Sequence, residues 1–370
     1  MRRHRATRRT MLQLIGGTLA TGGVASLSGA AQDDGGASSG QDEGEGTADG
    51  DETTAESPYT ALYEQTRDGL VLVQVSGAEQ EGGIGSGFVY EDEYVVTNEH
   101  VVSAADELDV QFVEEDWRSA NVVGTDPYSD LAVLEPDGLP EYAETLSVAD
   151  TVPEIGQEVV ALGNPLGLDA SVSHGIVSGV NRSLPSPTGV TIPAAIQTDA
   201  PVNPGNSGGP LVTLEEEEVV GVVSAGAGPG LNIGFAISAA LLERVVPALI
   251  EDGTYEHPYL GVNVVPLSPR IAQANDIDEA GGVLVVETAP NSPAEGVLEA
   301  ADGTTVVDDQ AVPVGGDVIV ELAGEAVPNQ DVLSAQLALE TAPDETVDIT
   351  VVRDGERTDL EVTLAARDEA

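Results

Sequence analysis

From about residue 59 to 237 the chain alternates short apolar runs with turn-forming clusters. Apolar or alternating stretches fall at 70–75, 87–90, 94–97, 108–112, 131–134, 158–162, 172–180, 192–197, 211–212, 219–224 and 234–237. Asp126-Pro127, Asn164-Pro165-Leu166-Gly167 and the polar stretch 185–189 separate some of them. Many short strands at this spacing predict a mostly β fold built as barrels or packed sheets. Ser238 then opens a helical run through Leu241, Leu242, Val245 and Val246, with Ser238 as its N-cap. Gly253 and Pro258 punctuate the way into a second region. There, strands are expected near 283–287, 317–322 and 347–353, with one amphipathic helix near 331–340. The pattern divides the chain into regions at 58–253 and 257–370, the second β-rich with some helix.

The N-terminus follows different rules. Residues 1–31 read as an export leader: Thr7-Arg8-Arg9-Thr10-Met11-Leu12 forms a twin-arginine signature before a modestly apolar stretch. Ser28-Gly29-Ala30 offers small residues for cleavage. The expected location is extracellular or cell-surface, with a membrane tether if the leader stays uncleaved. Residues 32–57 are rich in Gly, Asp, Glu and Ser with almost nothing apolar, which predicts an acidic, disordered linker.

Charge narrows the partners. Across 370 residues the formal charge is −52, from 65 acidic residues against 13 basic ones. All the basic residues are Arg, and five of them lie within residues 1–9. Past the leader there is no basic stripe for a phosphate backbone, so nucleic acid is not an expected partner. Such a charge repels itself at ordinary ionic strength, and molar salt screens that repulsion. The acid-rich, Lys-free, aromatic-poor composition resembles that of proteins from salt-accumulating halophiles. Cysteine is absent, which excludes disulfides, thiolate nucleophiles and zinc–thiolate sites.

The most informative stretch is Asn203-Pro204-Gly205-Asn206-Ser207-Gly208-Gly209-Pro210-Leu211. A Ser between glycines sits where the backbone can turn sharply, expose Oγ and converge its N–H groups. A nucleophilic Ser needs a base, and the chain has four His. His4 lies in the leader, His257 in the interdomain link and His174 within a strand-like run. His100 follows an apolar strand, a place equally suited to a cap or core role. Asp130 immediately precedes the apolar run at 131–134 and can bury a carboxylate, whereas Asp126, before Pro127, reads as a turn former. The order His100, Asp130, Ser207 matches that of chymotrypsin-like proteases and neither that of subtilisin nor that of α/β-hydrolases.

Thr97-Asn98-Glu99-His100-Val101-Val102, the stretch 126–134 and Gly205-Asn206-Ser207-Gly208-Gly209-Pro210-Leu211 closely resemble the HtrA/Deg family of trypsin-like serine proteases. Gly85-Ser86-Gly87-Phe88, Gln197-Thr198-Asp199-Ala200 and Ile233-Gly234-Phe235-Ala236-Ile237 carry the likeness further. Tyr259-Leu260-Gly261-Val262 resembles the start of that family's PDZ domain.

The resemblance implies a chymotrypsin-like double β-barrel followed by a PDZ domain. It also implies Ser207 as nucleophile, His100 as general base and then acid, and Asp130 as the carboxylate holding His100. The N–H groups of Gly205 and Ser207 would form the oxyanion hole. Ile233, Gly234 and Phe235 would line the primary specificity pocket, which lacks a carboxylate and therefore suits small or medium apolar side chains. Tyr259, Leu260, Gly261 and Val262 would offer N–H groups to a peptide's C-terminal carboxylate. Residues 300–314 look like a hairpin added to the family pattern.

The activity implied is ATP-independent endoproteolysis of misfolded or unfolded polypeptides by a homotrimer assembled near residues 59–63, without metal or cofactor. Asn206 cannot make the ion pair that zymogen-activated relatives form at this place, so activation is expected through ordering of loops at 163–171 and 181–190. Two other readings are a client-binding chaperone module with minor cleavage, and an adhesion protein whose Ser207 loop is structural.

Overall fold

The computed structural model describes residues 57–77, 83–91, 93–103, 105–163, 171–185, 191–203, 205–226, 232–278 and 281–367. The expected leader, nearly all of the acidic linker, residues 164–170 of the expected 163–171 loop and residues 186–190 of the expected 181–190 loop lie outside the described residues. Residues 181–185 continue a strand and are no loop.

A helix, α1 (Pro58–Thr66), leads into the first barrel. Its strands are β1 (Leu70–Ser76), β2 (Gly83–Tyr90), β3 (Tyr94–Thr97), β4 (Glu107–Gln111), β5 (Trp117–Asp126) and β6 (Leu131–Pro136), with a single-turn helix, α2 (Glu99–Val102), after β3. They close in the order β1-β2-β3-β6-β5-β4. The second barrel holds β7 (Glu158–Gly163), β8 (Ser171–Pro185), β9 (Thr191–Thr198), β10 (Pro210–Thr213), β11 (Val219–Gly226) and β12 (Gly234–Ser238). It closes as β10-β11-β12-β9-β8-β7.

The two-residue period of a strand explains how the barrels join. In β6, Ala132 and Leu134 pack with Val71, Val73 and Val110 in a cluster drawn from the first barrel. Their neighbours Leu131 and Val133 belong to another cluster with Val160, Leu162 and Ile237 of the second barrel. In the second barrel, Val159 and Ala161 take the barrel's own cluster while Val160 and Leu162 take the shared one. Helix α3 (Ala239–Glu251) seals that seam with Leu241, Leu242, Val245, Val246 and Leu249. The Oγ of Ser238 caps it, accepting from the Leu241 N–H at 3.3 Å.

The C-terminal region comprises β13 (Pro258–Tyr259), β14 (Val262–Pro266), α4 (Pro269–Ala274), β15 (Val283–Thr288), β16 (Gly303–Val307), β17 (Gln310–Val314), β18 (Val318–Leu322), β19 (Glu325–Ala326), α5 (Gln330–Glu340), β20 (Thr346–Arg353), β21 (Glu356–Thr363) and β22 (Ala365–Ala366). Its main sheet runs β14-β15-β18-β20-β21, with β19 pairing on β18. Leu333 of α5 joins Val285, Ile319 and Val351 in one apolar cluster. Leu284, Val318 and Val352 form another with Ile271 of α4 and Val312 of the β16–β17 hairpin. The added hairpin therefore covers sheet surface that would otherwise face water.

Helix α5 also lies against β8 and β9. Ala338 is part of the barrels' shared cluster and Leu339 packs against it. Arg244 of α3 binds the end of α5, donating to the Leu339 carbonyl at 2.8 Å and to the Thr341 carbonyl, while its Nε donates to Tyr255 Oη at 2.9 Å. The barrels and the C-terminal sheet are thus joined by apolar packing and by a cation spent on helix-end carbonyls.

Strands β5 and β21 are absent from the sequence-based expectation, as are α1 and α4. Most of β5 and β21 is exposed or half-exposed, so neither carries an apolar run.

Candidate active site

Strand β3 ends at Thr97, and α2 presents His100 at the barrel seam. Asp130 closes the turn before β6, fully buried and in the left-handed backbone region at φ 57°. Five donors hold this strained residue. Its carbonyl accepts from the Glu99 N–H at 3.1 Å and Asn98 Nδ2 at 3.0 Å. Its carboxylate accepts from the His100 N–H at 3.0 Å and from Ser224 Oγ at 2.8 Å. His100 Nδ1 stands 2.9 Å from both carboxylate oxygens. Donation through Nδ1 leaves Nε2 as the basic nitrogen, and Nε2 makes no hydrogen bond among the described residues.

Ser207 comes from the second barrel. Its Oγ donates to the Ser224 carbonyl at 3.0 Å, and no hydrogen bond joins it to His100. Ser224 thus touches both ends of the constellation: its hydroxyl holds Asp130 and its carbonyl holds Ser207. Sequence reasoning missed this residue, since a Ser at the end of an apolar strand carries no distinguishing signal.

The Ser207 loop is fixed between the barrels. The Ser86 N–H donates to the Ser207 carbonyl at 2.8 Å, and Ser86 Oγ donates to the Gly205 carbonyl at 2.6 Å. Gly208, at φ 85°, lies so close to β2 that a Cβ would stand 2.1 Å from the Ser86 carbonyl oxygen and 2.3 Å from Thr97 Oγ1. No larger residue fits there. The N–H groups of Gly205 and Ser207 donate to no acceptor among the described residues. Asn206 is fully buried, and neither of its side-chain polar atoms has a partner there.

Glu99 sits beside this centre, 8% exposed, with Oε2 unpartnered. Burial pushes its carboxyl up from the ordinary range; the Asp130 charge adds to this, His100 opposes it and Asp126 adds further.

The remaining expected residues are dispersed. Gly234 begins β12, where a Cβ would meet Val202 Cγ2 at 2.6 Å, and Phe235 packs against the shared cluster. His174 is exposed on β8 and stacks on Tyr59 of α1 at 4.7 Å between ring centres. Asp126 is a turn former, its carboxylate accepting from the N–H groups of Tyr128 at 3.2 Å and Ser129 at 3.0 Å. It also pairs with His257 of the link, whose Nε2 lies 2.7 Å from Oδ2. Tyr259, Leu260, Gly261 and Val262 edge a cleft of about 520 Å³ between β14 and α5. Gly261 takes φ 82°, and a Cβ there would lie 2.1 Å from that of Ser292. The N–H groups of Leu260 and Gly261 donate to no acceptor among the described residues.

Residues 85–222 match the family model of the trypsin-like peptidase domain, and residues 258–364 match that of the PDZ domain. The chain belongs to the HtrA family. A probable periplasmic DegP-like serine endoprotease of Halomonas elongata is 36% identical over 292 residues, covering 78% of this chain and 57% of the relative. One from Rhizobium meliloti is 37% identical over 284 residues, covering 75% and 53%. The chain thus spans a little over half the length of these relatives. Among solved structures, the HtrA-type protease AlgW with a tripeptide aligns at TM-score 0.68 and 28% identity, covering 84% of this chain and 98% of AlgW. A serine endoprotease from Yersinia pestis aligns at TM-score 0.59 and 26% identity, covering 85% and 100%. In this HtrA-family chain the double barrel is the trypsin-like part and the region from Pro258 is the PDZ part.

Proposed function

We propose that the chain is an exported serine endopeptidase that cleaves unfolded or misfolded polypeptides, with its PDZ part taking peptide C-termini. The observation that carries this reading is the buried Asp130 carboxylate, held by His100 and Ser224, with Ser224 also gripping Ser207.

In this reading Ser207 Oγ leaves the Ser224 carbonyl by rotation about its side chain and attacks the scissile carbonyl carbon. His100 Nε2 accepts the hydroxyl proton, and Asp130 stabilises the resulting imidazolium. The N–H groups of Gly205 and Ser207 hold the tetrahedral oxyanion. His100 then gives its proton to the leaving amine, forming the acyl-enzyme. Water, deprotonated by His100, releases the second product. A hydroxyl turned away in the unliganded protein is compatible with this chemistry, because catalytic hydrogen bonds often tighten only when substrate arrives.

Ile233, Gly234 and Phe235 border the proposed pocket for an apolar side chain, and Tyr259 to Val262 the proposed peptide-end site. AlgW has been solved with a tripeptide and with a decapeptide, which supports peptide recognition as the PDZ role. Export by the twin-arginine leader accords with the periplasmic description of the relatives. No helix among the described residues is long and apolar enough to cross a membrane. A homotrimer built through the α1 region and a requirement for high salt complete the proposal; light scattering across a salt series tests both.

The main test is cleavage of an unfolded model protein by the chain and by Ser207→Ala, from low to molar salt. Cleavage that needs Ser207 and grows with salt supports the proposal. A folded sample that binds the model protein without cutting it supports a chaperone module instead. Cleavage that persists in Ser207→Ala, with contaminating protease excluded, removes Ser207 from the mechanism.

A further inference from the structure

In a chain with 65 acidic residues and 13 arginines, a cleft with no carboxylate in its wall stands out. The cleft between β14 and α5 is such a place: among the described residues no Asp or Glu lines it, and Arg367 does. Arg67, Arg118, Arg270, Arg353 and Arg357 each pair with a carboxylate. Arg367 is exposed and pairs with none among the described residues. Its position is set by β22, where Ala366 pairs with Pro258 and Ala365 with Tyr259, placing Arg367 at the end of the cleft that holds the Tyr259-Leu260-Gly261 turn. The guanidinium carbon stands 5.0 Å from the ring centre of Tyr128 and 5.4 Å from that of Tyr259. Two rings hold the planar cation in place while leaving N–H groups for a ligand. The unspent N–H groups of Leu260 and Gly261 lie on the same turn.

A wall without acids among the described residues, a guanidinium held by two rings and unspent backbone donors suit a planar, two-oxygen anion. We propose that Arg367 reads the C-terminal carboxylate of a peptide bound in this cleft, held for that task by Tyr128 and Tyr259. This rests on the reading of the cleft as the peptide site and adds the side chain that discriminates a free carboxylate from a blocked one. That side chain comes after the last strand, and one of its two supporting rings comes from the first barrel. Tyr128 lies in the turn between Asp126 and Asp130, so the carboxylate reader rests on the segment that delivers the proposed catalytic Asp.

The test uses a heptapeptide library randomised at its last four positions, made in parallel as free acids and as C-terminal amides. Each form is passed over the immobilised full chain carrying Ser207→Ala, so that nothing is cut, and over the same chain with Arg367→Gln or Arg367→Lys added. Circular dichroism checks that all three fold alike. The expected result is at least tenfold greater retention of acids than amides by the Ser207→Ala chain. Arg367→Gln removes most of that preference without changing amide retention, and Arg367→Lys falls between. Equal preference in Arg367→Gln and its parent overturns the role of Arg367 and leaves the peptide site standing. No preference in the parent overturns the peptide site itself, and Arg367's role with it.

Discussion

Two His–Asp pairs stand at opposite ends of one turn, and their chemistry diverges through surroundings alone. At the C-terminal end, Asp130 takes the Nδ1 side of His100, whose side chain is 23% exposed. Nε2 makes no hydrogen bond among the described residues, which leaves it open for the proton transfer proposed from Ser207. At the N-terminal end, Asp126 takes Nε2 of His257, whose side chain is 8% exposed. Tyr255 packs edge-on to that imidazole at 4.7 Å and Tyr128 at 5.5 Å. In the proposed function the first pair exchanges a proton, while the second fastens the interdomain link to the turn. Which nitrogen is spent, and what covers the other, separates a base from a clasp.

Removing each imidazole breaks the comparison most sharply. His100→Ala is expected to lower kcat by about 10⁶-fold, as loss of a member of a working triad does, with little change in melting temperature. His257→Ala is expected to retain cleavage but to lose about 3 kcal/mol of stability in urea titrations, because the buried Asp126 carboxylate loses its imidazole partner and keeps only the Tyr128 and Ser129 N–H groups. Equal activity losses in the two variants, measured where both are folded, would make the clasp part of the catalytic machinery.

A smaller effect sharpens the catalytic side. Ser224→Ala removes the hydroxyl donor to Asp130 and leaves the His100 bonds in place. A bond to a charged group is worth ~1.5–3 kcal/mol, so kcat should fall roughly 10- to 100-fold. Unchanged kcat would assign Ser224 to packing alone.

The smallest expected effect concerns Glu99, which feels the charges of Asp130, His100 and Asp126. Its raised carboxyl keeps its proton in the folded chain over a pH range where the unfolded chain has released it. Stability contributed by this group is therefore present at low pH and lost as pH rises through that range. Glu99→Gln should melt higher than the parent at pH 7, with the advantage gone below the ordinary glutamate range. An equal advantage at both ends would assign the effect to packing rather than to charge.

Much of this was legible in the sequence because the relevant rules are local. Ser238 as N-cap, Asp126 as turn former and Asp130 at the mouth of an apolar strand each depend on neighbours a few residues away. The two-residue alternation marked most barrel strands, because each buries at least one face. It left out β5 and β21, whose solvent-facing residues break the pattern. The short helix α4 was missed too: its six residues bury only Ile271, too little for an apolar period to register.

The sequence by itself determined the residue types, their order and the glycine-rich loop that only a close approach between barrels explains. Tertiary structure decided the rest. Ser224 meets Asp130 across 94 positions, and His257 meets Asp126 across 131. Neither serine nor histidine announces such a partner, because hydrogen bonds act over about 3 Å and periodicity reports burial, not contact. The same holds for Arg367, one arginine among 13 in sequence. Folding sets it on two rings at the end of a cleft that no Asp or Glu among the described residues lines.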